Sequence, residues 1–180
     1  MVSTSKPATK KATPKADSKH TTTTAPDAIS LLKADHSEVK KCFQAYQKLV
    51  DAEAGGAERQ ALAEQICAML TVHATIEEEI FYPAAREVLG DDADLVDEAD
   101  VEHASAKELI AQIQAMSPEE DHYDAKVKVL GEYIDHHVQE EQDELFPKVK
   151  KAGLDTKAIG AELSLRKEAL TAELAEPAEA

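Results

Sequence analysis

The sequence HATIEEEIFYP at residues 73–83 is repeated as HVQEEQDELFP at residues 137–147. In both copies a histidine stands ten residues before the proline and a glutamate stands six before it. Residues four apart lie on one face of an α-helix, so each copy predicts an imidazole beside a carboxylate. Two such helices facing each other would bring these groups together, as expected for a metal site. The predicted ligands from the repeat are His73, Glu77, His137 and Glu141.

A second pair of histidines precedes the two copies, and each of these follows an acidic residue. Asp35-His36 lies before the first copy and Glu102-His103 before the second, at intervals of 37 and 34 residues from the next motif histidine. An internal repeat of this length, with two helices in each copy, indicates two similar helical halves. We therefore predict that His36 and His103 complete the site.

Capping residues and glycines predict four long helices and a shorter fifth. Gly55 and Gly90 mark helix ends, and Ser117, Pro118 and Glu120 resemble a helix start with an N-cap and a capping box. The predicted helices run from Asp27 to Gly55, from Ala57 to Leu89 with a kink or an end near Pro83, from Asp91 to Met116, from Ser117 to Ala152, and from Asp155 to Glu176.

Each long helix carries one histidine on its apolar face. The apolar face of the first helix is marked by residues at steps of three and four, namely Ile29, Leu32, His36 and Val39. In the other three helices the histidine also falls at such a step among apolar residues. Short connections between such helices predict an all-α, up-down-up-down four-helix bundle, whose core is a usual place for a metal site. The expected additions are a short C-terminal helix and a disordered N-terminal tail.

Composition divides the chain into three predicted regions. Residues 1–26 contain five lysines and one aspartate among Thr, Ala, Ser and Pro, which predicts a disordered tail. Residues 27–152 should form the bundle, and residues 153–180 the last helix and its end. The net charge is -16, and removing the +4 of the tail leaves -20 on the remainder. The tail is interpreted as a solubilising leader in preference to a nucleic-acid-binding arm.

Several features indicate a soluble, cytoplasmic protein without membrane contact. The chain has no secretory signal and no apolar run of membrane-spanning length. Its two cysteines, Cys42 and Cys67, lie within helical patterns and do not form a disulfide framework. We interpret both as small packing residues in helices.

The predicted imidazole and carboxylate donors indicate which metal ions could bind. Four imidazoles and two carboxylates buried in a bundle core would be costly unless cations lay between them. Mixed nitrogen and oxygen donors suit iron, manganese or zinc, and the absence of a cysteine cluster argues against a thiolate zinc site or an iron-sulfur cluster. Two central carboxylates could each bridge two cations.

A competing register uses His136 with Glu140, which also stand four apart and share a face with Val129 and Tyr133. The alignment of the two copies and the more apolar stripe through Leu130 and Ile134 favour His137 with Glu141. The remaining candidates for groups that support the ligands are His136, Glu140 and Tyr82.

These motifs resemble those of the hemerythrin family, in particular the bacterial hemerythrin-like domains called HHE cation-binding domains. The resemblance covers residues 27 to about 150 and rests on the two acid-His pairs and the two His-x-x-x-Glu motifs. It implies a four-helix bundle with two iron ions in a non-haem centre, bridged by an oxo or hydroxo group. Manganese and zinc are less favoured. The implied small-molecule partners are dioxygen, hydrogen peroxide and nitric oxide.

The chain departs from the oxygen-carrying hemerythrins at two positions. They have a further histidine four residues after the one on the third helix, where this chain has Lys107, and their last carboxylate is an aspartate five residues after its histidine. The resemblance therefore implies a more symmetric site and argues against reversible oxygen carriage. Three functions stay open: reaction with dioxygen or peroxide, including peroxide decomposition; sensing or holding of iron, oxygen or nitric oxide; and an adaptor whose basic tail binds nucleic acid.

Overall fold

The computed structural model describes Met1 and residues 26–175, and the predicted disorder of the tail concerns residues outside this part. The described chain is helical and has no strand. Its helices are α1 (Ala28–Asp51), α2 (Gly56–Ile76), α3 (Tyr82–Leu89), α4 (Asp94–Gln114), α5 (Tyr123–Glu140), α6 (Phe146–Ala152) and α7 (Thr156–Ala175). Within residues 26–175, no helix has both the length and the apolar composition needed to cross a membrane.

The bundle consists of four long helical segments, called rods below. Helices α1 and α4 are each one rod, α2 continues into α3 as another, and α5 continues into α6 as the fourth. Helix α1 contacts α2 and α5, and α4 contacts the same two helices, so all four rods face one core. The predicted all-α four-helix bundle is confirmed. Helix α7 is the additional C-terminal helix. It is 20 residues long, close to the predicted range from Asp155 to Glu176, and it packs against α1 and α2.

Two apolar layers fill the bundle and leave a polar layer between them. One layer contains Leu32, Phe81, Val96 and Phe146, and the other contains Val39, Ile66, Leu130 and other residues further from α3 and α6. In the described part of the chain, six polar or charged side chains are buried, and all are the predicted ligands: His36, His73, Glu77, His103, His137 and Glu141. Hydrophobic burial in the two layers therefore offsets the cost of this polar centre.

A π-helical turn joins the two segments of each interrupted rod. The first spans Glu77–Phe81 and the second spans Glu141–Leu145, and each ends two residues before a proline. Proline cannot donate a backbone hydrogen bond, and its ring clashes with the preceding turn of a regular α-helix. The wider turn accommodates it, since the amide of Tyr82 donates to the carbonyl of Glu77, five residues back. The helix continues past Pro83 to the predicted end at Leu89, so of the two alternatives predicted for Pro83, a kink or an end, the end is wrong.

Two predicted helix starts are also wrong. The Glu120 carboxylate accepts a 2.7 Å hydrogen bond from the Ser117 amide, as in a capping box, but only turns follow. His122 has a left-handed backbone with φ of 73°, so the helix begins after it, at Tyr123. The third long helix begins at Asp94 because a short 3-10 turn, Gly90–Asp92, precedes it.

Substitution of Gly160 by alanine is expected to loosen α7 from the bundle. A Cβ atom at this position would lie 2.6 Å from the amide nitrogen of Ala28 and would also clash with the carbonyl oxygen of Pro26. Backbone atoms cannot move aside easily, so we expect a loss of about 1–3 kcal/mol in the free energy of unfolding. Urea denaturation measures this, with Ala158→Ser on the exposed side of α7 as the control. Equal stability of the two variants would contradict the close contact.

Candidate metal centre

Each of the four long rods contributes one histidine to the polar layer. His36 lies on α1, His73 on α2, His103 on α4 and His137 on α5. The two glutamates are the first residues of the π turns. Glu77 is fully buried and Glu141 is 2% exposed. The structure therefore brings all six predicted site residues together at the middle of the bundle.

One group of donors consists of His36, His73, Glu77 and Glu141, whose ligand atoms all lie within 4.8 Å of one another. The Nε2 atoms of His36 and His73 are 3.0 Å apart. The Glu141 Oε2 atom lies 3.2 Å from His36 Nε2, and the Glu77 Oε2 atom lies 3.2 Å from His73 Nε2. This arrangement offers two nitrogens and two carboxylates to one cation.

A second group consists of Glu77, His103 and His137. The Nε2 atoms of the two histidines are 3.2 Å apart, and Glu77 Oε2 lies 3.5 Å from His103 Nε2. The Glu141 carboxylate is also close, with Oε2 at 3.7 Å from His137 Nε2. Glu77 belongs to both groups. Two cation positions with shared carboxylates therefore fit between the histidines.

Several buried carboxylate oxygens at the centre have no hydrogen-bond partner, which fits a cation-binding site better than a purely structural cluster. Both oxygens of Glu77 and Oε2 of Glu141 are buried without a hydrogen-bond partner. Leaving a buried polar group unpaired costs about 1–3 kcal/mol, and a charged group costs more. The imidazole nitrogens face each other and these same oxygens. Cations bound between them would satisfy both sets of atoms.

An outer layer of polar groups holds the imidazoles in this orientation. In each ring Nδ1 has a partner and Nε2 faces the centre, as is usual for metal-binding histidines. The partners are the Asp35 carboxylate for His73 (3.5 Å), Glu78 for His103 (3.0 Å), Glu102 for His137 (2.7 Å) and the Gln142 amide for His36 (3.1 Å). They occupy repeated positions, one residue before the first histidine and one after the glutamate of each half.

The charges of the centre are strongly coupled. Burial lowers the pKa of His73, but the Glu77 carboxylate and the hydrogen bond to Asp35 outweigh this effect and raise it to about 10. Burial raises the pKa of Glu141, but the adjacent His36 imidazole and the other imidazoles lower it to about 2. Without a cation, imidazole protons such as the one on His73 therefore offset part of the carboxylate charge. Metal uptake should displace such protons.

The two halves of the centre differ at one equivalent pair, Tyr82 and Phe146. The Tyr82 hydroxyl donates to Glu141 Oε1 at 3.0 Å and lies 3.3 Å from His103 Nε2. Phe146 instead stacks on the His36 ring, with centroids 6.0 Å apart. Burial and the two central glutamates hold the pKa of Tyr82 well above its usual value, so the hydroxyl keeps its proton.

Replacing Tyr82 by phenylalanine would make the two halves alike at this position. We expect the metal-free protein to lose about 1–2 kcal/mol of unfolding free energy, because a buried carboxylate loses its donor. Denaturation in a chelating buffer measures the loss. Tyr133→Phe is the matched control, because Tyr133 is 39% exposed and its change should stay within about 0.5 kcal/mol. Equal losses in both variants would show that the hydroxyl contributes nothing to the centre.

The other predicted supporting residues lie further out. His136 is exposed, with Nε2 at 3.4 Å from Glu140 and 3.8 Å from Glu102, so it reaches a central histidine only through Glu102. Lys107, at the position where the oxygen carriers have another histidine, donates to Glu78 at 2.6 Å. It therefore helps to hold the carboxylate that contacts His103.

Helix α7 reaches the centre through a residue that sequence reasoning missed. Lys167 forms an ion pair with Asp35, which contacts His73, and the neighbouring Arg166 pairs with Glu79 at 2.6 Å. Nothing in the helical periodicity distinguishes Lys167 from other polar surface residues. Gln142 was also missed, although its position after Glu141 matches that of Glu78 and could have indicated it.

The fold and donors define a class of protein: a four-helix bundle with a candidate centre for two cations, built from imidazoles and carboxylates. Residues 27–149 match the family described as hemerythrin HHE cation binding domain. The chain belongs to this family, and the resemblance predicted from its motifs is confirmed. Helix α7 lies beyond the matched residues.

Two known proteins are similar to this chain over different shares of their length. A protein named DNA nickase from Nostoc sp. (strain PCC 7120) is 31% identical over 122 residues, which cover 67% of this chain and 32% of that protein. The chain thus spans about a third of the length of this relative. The crystal structure of a hemerythrin HHE cation binding domain-containing protein from Mycobacterium kansasii shares the fold, with a TM-score of 0.68 at 20% identity. That match covers 82% of this chain and 89% of the other.

Proposed function

We propose that the six central residues hold two iron ions in a non-haem centre, which reacts with dioxygen or hydrogen peroxide. The observation that carries this proposal is the shared position of Glu77 between two buried histidine pairs. A carboxylate with two oxygens and no hydrogen-bond donor is suited to contact two cations. Imidazole and carboxylate donors in a helical bundle are typical of iron and manganese centres.

In the proposed arrangement His36 and His73 hold one ion, and His103 and His137 hold the other. Glu77 and Glu141 lie between them. When bound, the ions would supply one-electron redox chemistry and open coordination positions for a small molecule. Two imidazoles and shared carboxylates leave such positions available on each ion. A third histidine on one side, as in the oxygen carriers, is replaced by Lys107, which supports reaction over reversible carriage.

The residues around the ligands would support this chemistry by limiting water access, orienting the imidazoles and supplying a proton. The apolar layers above and below close the centre to water along the bundle axis, which strengthens electrostatic interactions at the site. The carboxylates that contact Nδ1 of His73, His103 and His137 can accept its proton in a hydrogen bond, which leaves the Nε2 lone pair of each ring directed at the centre. The Tyr82 hydroxyl, 3.0 Å from Glu141 and 3.3 Å from His103 Nε2, places a proton at one side of the centre.

Metal analysis with a reaction assay tests the proposal. Protein expressed with added iron should contain about two irons per chain, as di-iron bundles do, and should absorb visible light through charge-transfer bands that zinc cannot give. Addition of hydrogen peroxide should then produce oxygen in an electrode assay. Protein that retains zinc in iron-rich medium would refute the iron centre. An iron-loaded protein that releases no oxygen would refute peroxide decomposition.

Sensing is a second candidate, which the link from the centre to α7 favours. The chain of contacts runs from His73 through Asp35 to Lys167. A change at the iron centre could therefore alter how firmly α7 docks on α1 and α2. Hydrogen exchange tests this: amides of α7 should exchange more slowly in the iron-loaded protein than after chelation. Unchanged exchange would remove a sensor that signals through α7.

Nucleic-acid chemistry is the least supported function. The name of the Nostoc relative refers to DNA, but the chain matches only 32% of that protein. The net charge of -20 on residues 27–180 repels phosphate, which leaves the basic tail as the remaining point of contact. In a gel-shift assay at low salt, full-length protein and protein starting at residue 27 should behave alike. Retardation by the full-length protein alone would revive the adaptor hypothesis.

A further inference from the structure

A large apolar cavity lies beside the four imidazoles. Its volume is about 420 Å³, and it extends among α1, α2, α4 and α5 to a mouth bordered by α7. The four histidines form part of its wall. The apolar wall is formed by Val39, Met69, Leu70, Ile110, Ile134 and Val138. Nothing in the proposed reaction with dioxygen or hydrogen peroxide requires a cavity of this size.

The volume indicates a larger ligand. A water molecule occupies about 30 Å³, and an apolar protein cavity of about 150 Å³ accepts benzene. Sites for organic ligands span about 300–1,000 Å³ and are mostly apolar with a few polar groups. The cavity beside the imidazoles falls in this range. An apolar wall also binds water poorly, so an apolar ligand has little water to displace.

The charges around the cavity argue against an anionic ligand. Two lysines line it, but Lys107 is paired with Glu78 and Lys167 with Asp35. An anionic head group would have to break one of these ion pairs and approach a strongly acidic protein. A hydroxyl or hydroperoxyl group has no such difficulty. It could lie at the imidazole end while its alkyl part contacts Met69 and Ile110.

We propose that this cavity binds neutral organic molecules that have an alkyl tail and a hydroxyl or hydroperoxyl end, with the polar end toward the imidazoles. The class of ligand at the centre therefore extends beyond dioxygen and hydrogen peroxide. Any reaction of such a ligand at the metal centre rests on the proposed function, whereas its binding depends only on the cavity. Leu174, which is 56% exposed at the mouth, provides an apolar rim for a longer tail.

Calorimetric titration with a series of linear alcohols tests the proposal. The iron-loaded protein is titrated with 1-butanol, 1-pentanol, 1-hexanol, 1-heptanol and 1-octanol as unreactive probes. Each added methylene should increase the affinity roughly fourfold, because it is transferred from water to an apolar wall. An affinity that does not depend on chain length would overturn the proposal.

A matched pair of variants locates the binding. Ala106 lies on the cavity wall, whereas Ala104 is on the exposed side of the same helix, α4. Ala106→Phe should weaken 1-octanol binding by roughly tenfold or more, and Ala104→Phe should leave it unchanged. Equal effects of the two variants would place the alcohol elsewhere and overturn the proposal. If Ala106→Phe does not fold, Ala68→Phe fills the cavity from α2 with the same expected result.

The same titration on metal-free protein separates this proposal from the metal hypothesis. The alcohol series should retain its dependence on chain length after chelation, because the apolar residues of the wall are not ligands. If the protein takes up no iron but shows the series and the effect of Ala106→Phe, the proposed function fails and the cavity proposal stands. If iron binds and the series is flat, the cavity proposal fails alone.

Discussion

His137→Ala is expected to reduce the iron content of the purified protein from about two ions per chain to less than one. His137 is 3% exposed, its Nε2 faces His103 Nε2 at 3.2 Å, and its Nδ1 is held by Glu102. Removal of this imidazole leaves one cation position with a single histidine. Because both positions share the same carboxylates, loss of one ion should also weaken the other. Mass spectrometry of the metals measures the result.

The neighbouring histidine provides a matched control. His136 is of the same residue type, one position away on the same helix, but its side chain is 65% exposed. His136→Ala should therefore keep about two irons per chain, since its side chain is not directed into the centre. The opposite outcome, with iron lost from His136→Ala and retained in His137→Ala, would mean that the competing register with Glu140 is the correct one.

Glu77→Gln is expected to abolish the stabilisation of the fold by iron. Glu77 is the residue common to both donor groups, and glutamine keeps its size while removing the charge that the two proposed cations would share. A metal ion whose free concentration is a hundred times its dissociation constant stabilises the folded state by about 2.7 kcal/mol. For a domain of this length such a gain raises the melting temperature by roughly 5–10 °C. Chelation should remove that difference in the wild type.

In Glu77→Gln the melting temperatures with and without iron should coincide, as recorded by circular dichroism. His136→Ala serves again as the control and should retain the difference. The comparison is made within each variant, so any effect of the substitution on the metal-free fold cancels. A variant at Glu77 that still gains several degrees on iron loading would show that this carboxylate does not connect the two cation positions.

The positions of the six central residues could be predicted because two regular patterns agree. Apolar side chains at steps of three and four identify the buried face, and the repeat selects the same histidine in each half. Burial of His137 and exposure of His136 follow directly from this periodicity. Long, strongly periodic helices are the elements for which sequence patterns are most informative.

The parts that could not be predicted depend on local backbone geometry or on distant contacts. The π turns at Glu77 and Glu141 insert an extra residue into a regular helix, and periodicity alone does not reveal them. The start of α5 depends on the left-handed backbone of His122, a conformation that histidine adopts only where the surrounding chain imposes it. The contact of Lys167 with Asp35 joins residues 132 apart in sequence.

Each half of the sequence contributes a glutamate that contacts a histidine of the other half, and this arrangement bears on the origin of the centre. Glu141 from the second half contacts His36 in the first, and Glu77 from the first contacts His103 in the second. One half associated with a copy of itself about a twofold axis would present the same four imidazoles and two carboxylates. The present chain is thus what fusion of two ancestral copies would produce. Tyr82 opposite Phe146 is one place where the two halves differ chemically, and it gives the centre two inequivalent sides.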